Sequence, residues 1–469
     1  MIPDIESRRA RLWTTVAAAV SLPLVAVLCA TLWVAPYPIS DSIGHFEDVV
    51  RRPAATFLFP SSAYYRPLFY LTLSAAWHAA PSIADALTAL RFLHIVPILA
   101  LVALLVGHTR PRSAVDAGAA MLAVAVLVGA PGFRDNLELP LSYTIVGMPA
   151  LLATWILLER ERRPWHGPAI AALALLAIGF KEQGLVVLPL IAAACWLRAP
   201  GASGRMALVA LLAGLGYVAF RLAYHDERLP LFEQDVGFGF ERMSSSDAEE
   251  RFGSFPLGIF FYSGLSTIGS MLFAEPTEGV FRIAYAFRER IAQPWHAIHL
   301  ATSAVLTGTI AWWGVRALQR GGYRSPEGRL FVLMLVVLAA TGALSFNYSR
   351  DRLGGMAVPL YAVAAFHAVR RLANGATAGL MRGAAAALLL ALLATGWQLR
   401  ALYTLENTRQ RAINTEREWS TRFHVRRAEF TDRIVYTEIL DAMLSQGTDP
   451  DAIRRLRFPR WVVRMLGEY

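Results

Sequence analysis

The chain is nearly without lysine. Lys181 is the only one, and every other member of its 45 Lys and Arg residues is arginine. Cysteine is almost as scarce. Cys29 and Cys195 both lie inside apolar runs, which leaves no disulfide framework and no thiolate metal site. Charge is thin overall: 17% of residues are Asp, Glu, Lys or Arg, where soluble domains carry nearer about a quarter. Hydrocarbon takes the remaining place, with 55% hydrophobic residues and a mean hydropathy of +0.42. Apolar stretches of bilayer length recur from end to end, so the chain reads as an all-α polytopic membrane protein.

The net charge of +10 does not point to nucleic acid. The arginines gather at the ends of apolar segments, where they report topology, and the partner they imply is the lipid bilayer. The first apolar segment, Leu12 to Val34, follows Arg8, Arg9 and Arg11 and reads as an uncleaved helix. Hydropathy places spans at 12–34, 86–107, 114–130, 141–158, 168–180, 184–197, 206–224, 295–315, 330–346, 355–369 and 383–399, about eleven in all. With the N-terminus inside, HTRPRS, ERERRPWHGP, RAPGASGR, RALQRGGYRSPEGR and RRLANGATAGLMR fall in the cytoplasm, all short and rich in arginine. The outer loops, 35–85, 131–140 and 225–294, are longer or carry the acids. A catalytic membrane domain is expected over 1–399. An outer, helical C-terminal region is expected over 400–469, with Trp419, Phe423, Phe430 and Tyr436 at helical spacing among arginines. The segment 255–273 is apolar enough to cross, but crossing would reverse the arginine pattern, so an interfacial or re-entrant helix is expected there. The long 225–294 loop reads either as a lid or acceptor-side wall or as a packed cap.

In GFKEQGLVVLP, Lys181 and Glu182 stand between two apolar runs. An unpaired lysine at mid-bilayer costs about 3 kcal/mol on insertion scales, and less near the interface. The short spans on either side put the pair at the outer membrane boundary. Adjacent helical residues diverge by about 100°, so the two need separate partners. Snorkelling to headgroups and water is the plainer reading. The functional one needs other charges on the same side, and these occur. ISDSIGHFEDVV supplies Asp41 and His45, YYRPLFYLTL supplies Tyr65 and Arg66, PGFRDNLELPLSY supplies Asp135 and Glu138, and SFNYSRDRLGG supplies Arg350 and Arg352. Arginine with lysine suits a phosphate, and a nearby carboxylate suits removal of a hydroxyl proton. Singly, each has a simpler explanation: Asp41 as a helix cap, Arg66 as a headgroup anchor, His45 as a structural hydrogen-bonder, and Arg350 and Arg352 as loop ion pairs.

Taken in order, these elements resemble the GT-C superfamily of integral-membrane glycosyltransferases, which includes protein O-mannosyltransferases and the lipid A aminoarabinose transferase. In that group a catalytic aspartate follows the first helix, as Asp41 does here. A basic-Pro element opens a juxtamembrane helix, as in YYRPLFYLTL, and a Lys-Glu pair precedes an apolar run ending in Pro, as in KEQGLVVLP. The acidic neighbour usual beside the aspartate is Ser42 here, and no tetratricopeptide array follows the last span.

The resemblance implies a GT-C-like fold with outer juxtamembrane helices, in a bacterial inner membrane, with the active site and C-terminus periplasmic. It also implies inverting transfer of a sugar from a polyprenyl-phosphate carrier to a hydroxyl of a lipid, glycan or protein. Asp41 would be the general base, with Arg66, Lys181, Arg350 and Arg352 on the carrier phosphate. His45, Tyr65, Asp135, Glu138 and Glu182 would line the sugar and acceptor. A metal-free reaction is expected; a divalent cation, if a diphosphate donor required one, would fall to Asp41, Asp135 and Glu138. The competing readings are an O-antigen polymerase or ligase, a lipid-linked sugar flippase or transporter, and a non-catalytic assembly subunit. A flippase would carry charges through mid-span and show repeated halves, and neither pattern stands out.

Overall fold

Fifteen helices form among the described residues of the computed structural model, which are 2–34, 45, 48–50, 52–59, 65–134, 143–224, 236–238, 241–243, 250, 253, 258–273, 279–345, 348–349, 351–375 and 380–426. They are α1 (Ile2–Val34), α2 (Pro67–Ala79), α3 (Ile83–Thr109), α4 (Ala114–Gly129), the single turn α5 (Pro131–Arg134), α6 (Tyr143–Leu158), α7 (His166–Phe180) and α8 (Val187–Trp196). Then follow α9 (Gly204–Tyr224), α10 (Gly258–Phe273), α11 (Gly279–Arg288), α12 (Pro294–Gly321), α13 (Pro326–Leu344), α14 (Val358–Gly375) and α15 (Leu380–Arg426). Tight 3-10 turns occupy 54–58, 182–186 and 351–357.

Local chemistry sets the helix starts. Ser82, Ser113 and Ser325 each accept a hydrogen bond from a backbone N–H three residues on, at 3.2, 3.1 and 3.2 Å. Proline opens α2, α12 and α13, where its missing N–H has no intrahelical partner to lose. Among the described residues, six helices are long and apolar enough to cross a bilayer: Arg11–Trp33, Asp85–Thr109, Pro294–Gly321, Pro326–Leu344, Leu353–Asn374 and Ala384–Gln410. A helix lies over each of the eleven apolar segments read from the sequence. The protein is a helical membrane protein whose outward surface carries large apolar side chains, as along α9 at Leu208, Val209, Leu211, Leu212 and Leu215.

The centre of the bundle is α4, nearly all of whose residues are buried, against α1, α14 and α15. Its alanines and glycines let backbones approach. A Cβ on Gly129 would stand 3.1 Å from the Ala401 backbone nitrogen of α15.

Two features depart from the expectation. The boundary at residue 400 is not a break, because α15 runs through it as one 47-residue helix. Arg400, expected to begin a surface appendage, is fully buried. It donates to the His299 carbonyl at 2.8 Å and to the Ser303 hydroxyl, and its guanidinium lies 4.1 Å from the Trp397 ring. A neighbouring helix thus supplies hydrogen-bond partners to a charge that the polar sequence after 399 assigns to water. Of the aromatic residues read at helical spacing, Trp419 and Phe423 fall on α15, while Phe430 and Tyr436 lie outside the described residues.

The second departure is a small sheet within the helical fold. β1 (Val236–Phe238) pairs antiparallel with β2 (Glu241–Met243), with Val236 opposite Met243. It also pairs parallel with β3 (Tyr348–Ser349), with Gly237 opposite Tyr348 and Phe238 opposite Ser349. The sheet fixes part of the 225–294 loop onto the chain just before Arg350. From the same loop, α10 lies along α13 with Gly264 against the Gly342 carbonyl, and its Met271 reaches Gly354 in the 351–357 turn.

Candidate functional site

The local sequence builds a corner at residue 181. α7 stops because Lys181 takes an extended backbone, at φ −160° and ψ 145°, after its N–H bonds back to the Ala177 carbonyl. The 182–186 turn then folds tightly onto α7. A Cβ on Gly184 would stand 2.2 Å from the Ala177 carbonyl carbon and oxygen, so only glycine permits this approach. At a second corner, Arg66 caps α2 ahead of Pro67, with its own carbonyl accepting from the Tyr70 N–H at 3.2 Å.

These corners meet. Arg66 donates from Nε to Glu182 Oε2 at 3.2 Å and from Nη2 to Oε1 at 3.1 Å, a two-point contact between residues 116 positions apart. The side chains are 11% and 16% exposed. Glu182 therefore does not reach out to water, which removes the snorkelling reading for the carboxylate.

His45 stands beside this pair. Its Nδ1 lies 2.9 Å from the Tyr70 hydroxyl, and its ring meets Phe69 and Tyr70 edge-on at 5.2 and 5.6 Å. Phe57 stacks flat on Tyr70 at 4.8 Å. Burial, and then the positive charges of Arg66 and Lys181, hold the imidazole down at about 3, so His45 is neutral at ordinary pH. Burial and then the Asp48 carboxylate push the Tyr70 phenol up to about 12, against the pull of Arg66 and Arg52. A neutral imidazole and a neutral phenol thus border Arg66, Lys181 and the Glu182 carboxylate, with Arg52 and Asp48 paired at 3.5 Å nearby. Arg66, Lys181 and Glu182 together carry one net positive charge in a partly dry place, which suits an anion.

The 351–357 turn is the junction for the other predicted residues. It touches α5, α6, α10, α13 and the 182–186 turn. A Cβ on Gly132 would stand 2.5 Å from the Gly355 backbone nitrogen, so the backbone at Gly132 packs directly on that at Gly354 and Gly355. Arg352 lies in this turn. Asp41, Asp135, Glu138 and Arg350 lie outside the described residues, although α5 and β3 end beside Asp135 and Arg350 respectively. Tyr65 faces another way. It donates to the Leu58 carbonyl at 2.8 Å and packs toward Tyr217 and Phe220 of α9. Among the described residues, no group of three or more His, Cys, Asp and Glu side chains could hold a metal ion.

Two features of the site went unread in the sequence. Tyr70 sits four residues after Arg66, the helical spacing that puts both on one face, so its place was available from YYRPLFY. The Arg66–Glu182 pairing had no comparable signal. No protein-family model, curated protein or solved structure matches this chain.

Proposed function

We infer that the protein is a membrane glycosyltransferase of GT-C type, which moves a sugar from a polyprenyl-phosphate carrier to a hydroxyl acceptor. The observation that carries this reading is the meeting of Arg66 with Glu182, beside Lys181 and a neutral His45, at the end of the bundle where α2 begins. Two cations from distant segments suit the anionic head of a lipid carrier.

In the proposed reaction, Asp41 removes the proton of the acceptor hydroxyl while the oxygen attacks the anomeric carbon from the face opposite the phosphate. The bond from that carbon to the phosphate oxygen breaks, and the carrier phosphate leaves with the electron pair. Arg66 and Lys181, with one or both of Arg350 and Arg352, stabilise the charge that develops there; preorganised donors of this kind supply several kcal/mol (~3) in a dry site. His45 and Tyr70 offer uncharged hydrogen-bonding groups to sugar or acceptor hydroxyls. The sheet and α10 form the wall beside the acceptor. The topology that accompanies this reading has eleven crossings, a cytoplasmic N-terminus, the site on the periplasmic side of a bacterial inner membrane, and α10 not crossing.

The test is Asp41→Asn in folded, purified protein. We expect it to bind a polyprenyl-phosphate sugar as the unaltered protein does and to transfer none of it. Undiminished transfer would take Asp41 out of its role, and failure of the unaltered protein to bind such a lipid would remove the reading.

A further inference from the structure

The Nε–Nη2 edge of a guanidinium is the edge that grips a two-oxygen anion, and it accepts a carboxylate or a phosphate in the same way. In Arg66 that edge is already filled by both oxygens of Glu182. Lys181, next in the chain, adds its positive charge to the same carboxylate. Glu182 therefore occupies the position of an anion forked by Arg66 and drawn by the charge of a second cation, Lys181, to which the chain tethers it.

We propose that Glu182 is an exchangeable stand-in for the carrier phosphate: it keeps Arg66 and Lys181 assembled in the empty protein, yields the Arg66 fork when a lipid phosphate arrives, and returns to help expel it. This rests on the glycosyltransferase reading and adds how its phosphate site fills and empties.

Three observations carry it. The fork is long at 3.1–3.2 Å, whereas a second Arg–Glu fork between distant described segments, Arg329 with Glu159, closes to 2.6–2.7 Å. The backbone beneath Glu182 is fixed, because Gly184 is pressed against Ala177 with no room for even a methyl group. Exchange is thus a rotation of one side chain and needs no loop movement. The site also keeps its charge balance, since a phosphodiester donor carries one negative charge, as the departing carboxylate does. The product carrier phosphate carries more (roughly −1.5 to −2 at neutral pH) and would be held too tightly by two cations with no competitor.

The test is titration of the full-length protein in lipid nanodiscs with a polyprenyl monophosphate, with the matching polyprenol as control. Glu182→Gln keeps the shape and removes the competing charge, and we expect it to bind the phosphate about tenfold more tightly than the unaltered protein. Glu182→Asp keeps the charge but is too short to span the fork, and a smaller gain in the same direction is expected. Polyprenol binding should be equal in all three. If folded Glu182→Gln binds the phosphate no more tightly, or gains equally for the polyprenol, the exchange is wrong and the glycosyltransferase reading stands. If Glu182→Gln does not fold, the absence of any gain in Glu182→Asp overturns the exchange. If the unaltered protein and both variants all ignore the phosphate, the functional reading falls with it.

Discussion

Among the described residues, two Arg–Glu forks join distant segments, one towards each end of helix α13. Near its start, Arg329 grips Glu159 from the end of α6 at 2.6 and 2.7 Å and spends a further N–H on the Arg324 carbonyl at 2.9 Å. Near its other end, the 182–186 turn carries Glu182 to Arg66 at 3.1 and 3.2 Å. The chemistry is the same and the burial is similar, with side chains 5% and 13% exposed in the first pair and 11% and 16% in the second. The surroundings differ. The first fork is short and shared with a backbone carbonyl, which suits a tie between helices. The second is looser, has Lys181 at its flank, and adjoins His45 and Tyr70, both kept neutral. A buried ion pair alone therefore says little about role. An extra cation and uncharged hydrogen-bonding neighbours are what make the second fork suited to an anion.

This contrast can be broken by mutation. The largest effect on folding is expected from Arg329→Ala, which strands Glu159 in a dry place at a cost of about 3–5 kcal/mol. Thermal melts and folded yield in detergent would show it, and a paired apolar replacement of both residues should recover most of the loss. If Arg329→Ala melts like the unaltered protein, the first fork is no tie. Lys181→Ala should do the opposite: little change in melting, but a fall in sugar transfer of roughly two to three orders of magnitude, the usual loss when a preorganised donor to a developing oxyanion is removed. A collapse in folded yield with full specific activity in what remains would make the second site a tie as well.

The smallest effect sharpens the contrast through pH. His45 titrates at about 3 in the folded protein against an ordinary 6.5, so the unfolded chain takes up the proton first. Its contribution is flat above about 6.5, and stability falls as pH drops from there toward about 3. Between about pH 7 and about pH 6 the loss is under about 1 kcal/mol, and His45→Gln should remove that part of the slope. An identical slope in the variant would show that His45 is not held neutral by its surroundings.

How much of this was readable in advance follows from the range of each interaction. The corner at Lys181 was legible because two short apolar runs flank a charged pair, and the chain does turn there. α2 was legible as an amphipathic stretch headed by Arg66, and Tyr70 could have been read from its four-residue spacing. The helix expected to end at 399 continues to Arg426. Polarity after that point looked like an exit to water, but the partners of Arg400 are on α12, about a hundred positions earlier in the chain. The strands in DVGFGFERM escaped notice because each is only three residues long and β1 pairs with a segment more than a hundred residues away.

The sequence by itself determined that this chain lives in a membrane as helices, where those helices lie, and that its single lysine marks a turn, since hydropathy, caps and glycine fit are properties of short segments. Only the tertiary structure decided that Arg66 takes Glu182, that His45 lies against Tyr70, and that Arg400 is buried. Those outcomes depend on which distant groups share a low-dielectric space, and charge pairing there is set by packing geometry that no stretch of sequence encodes locally.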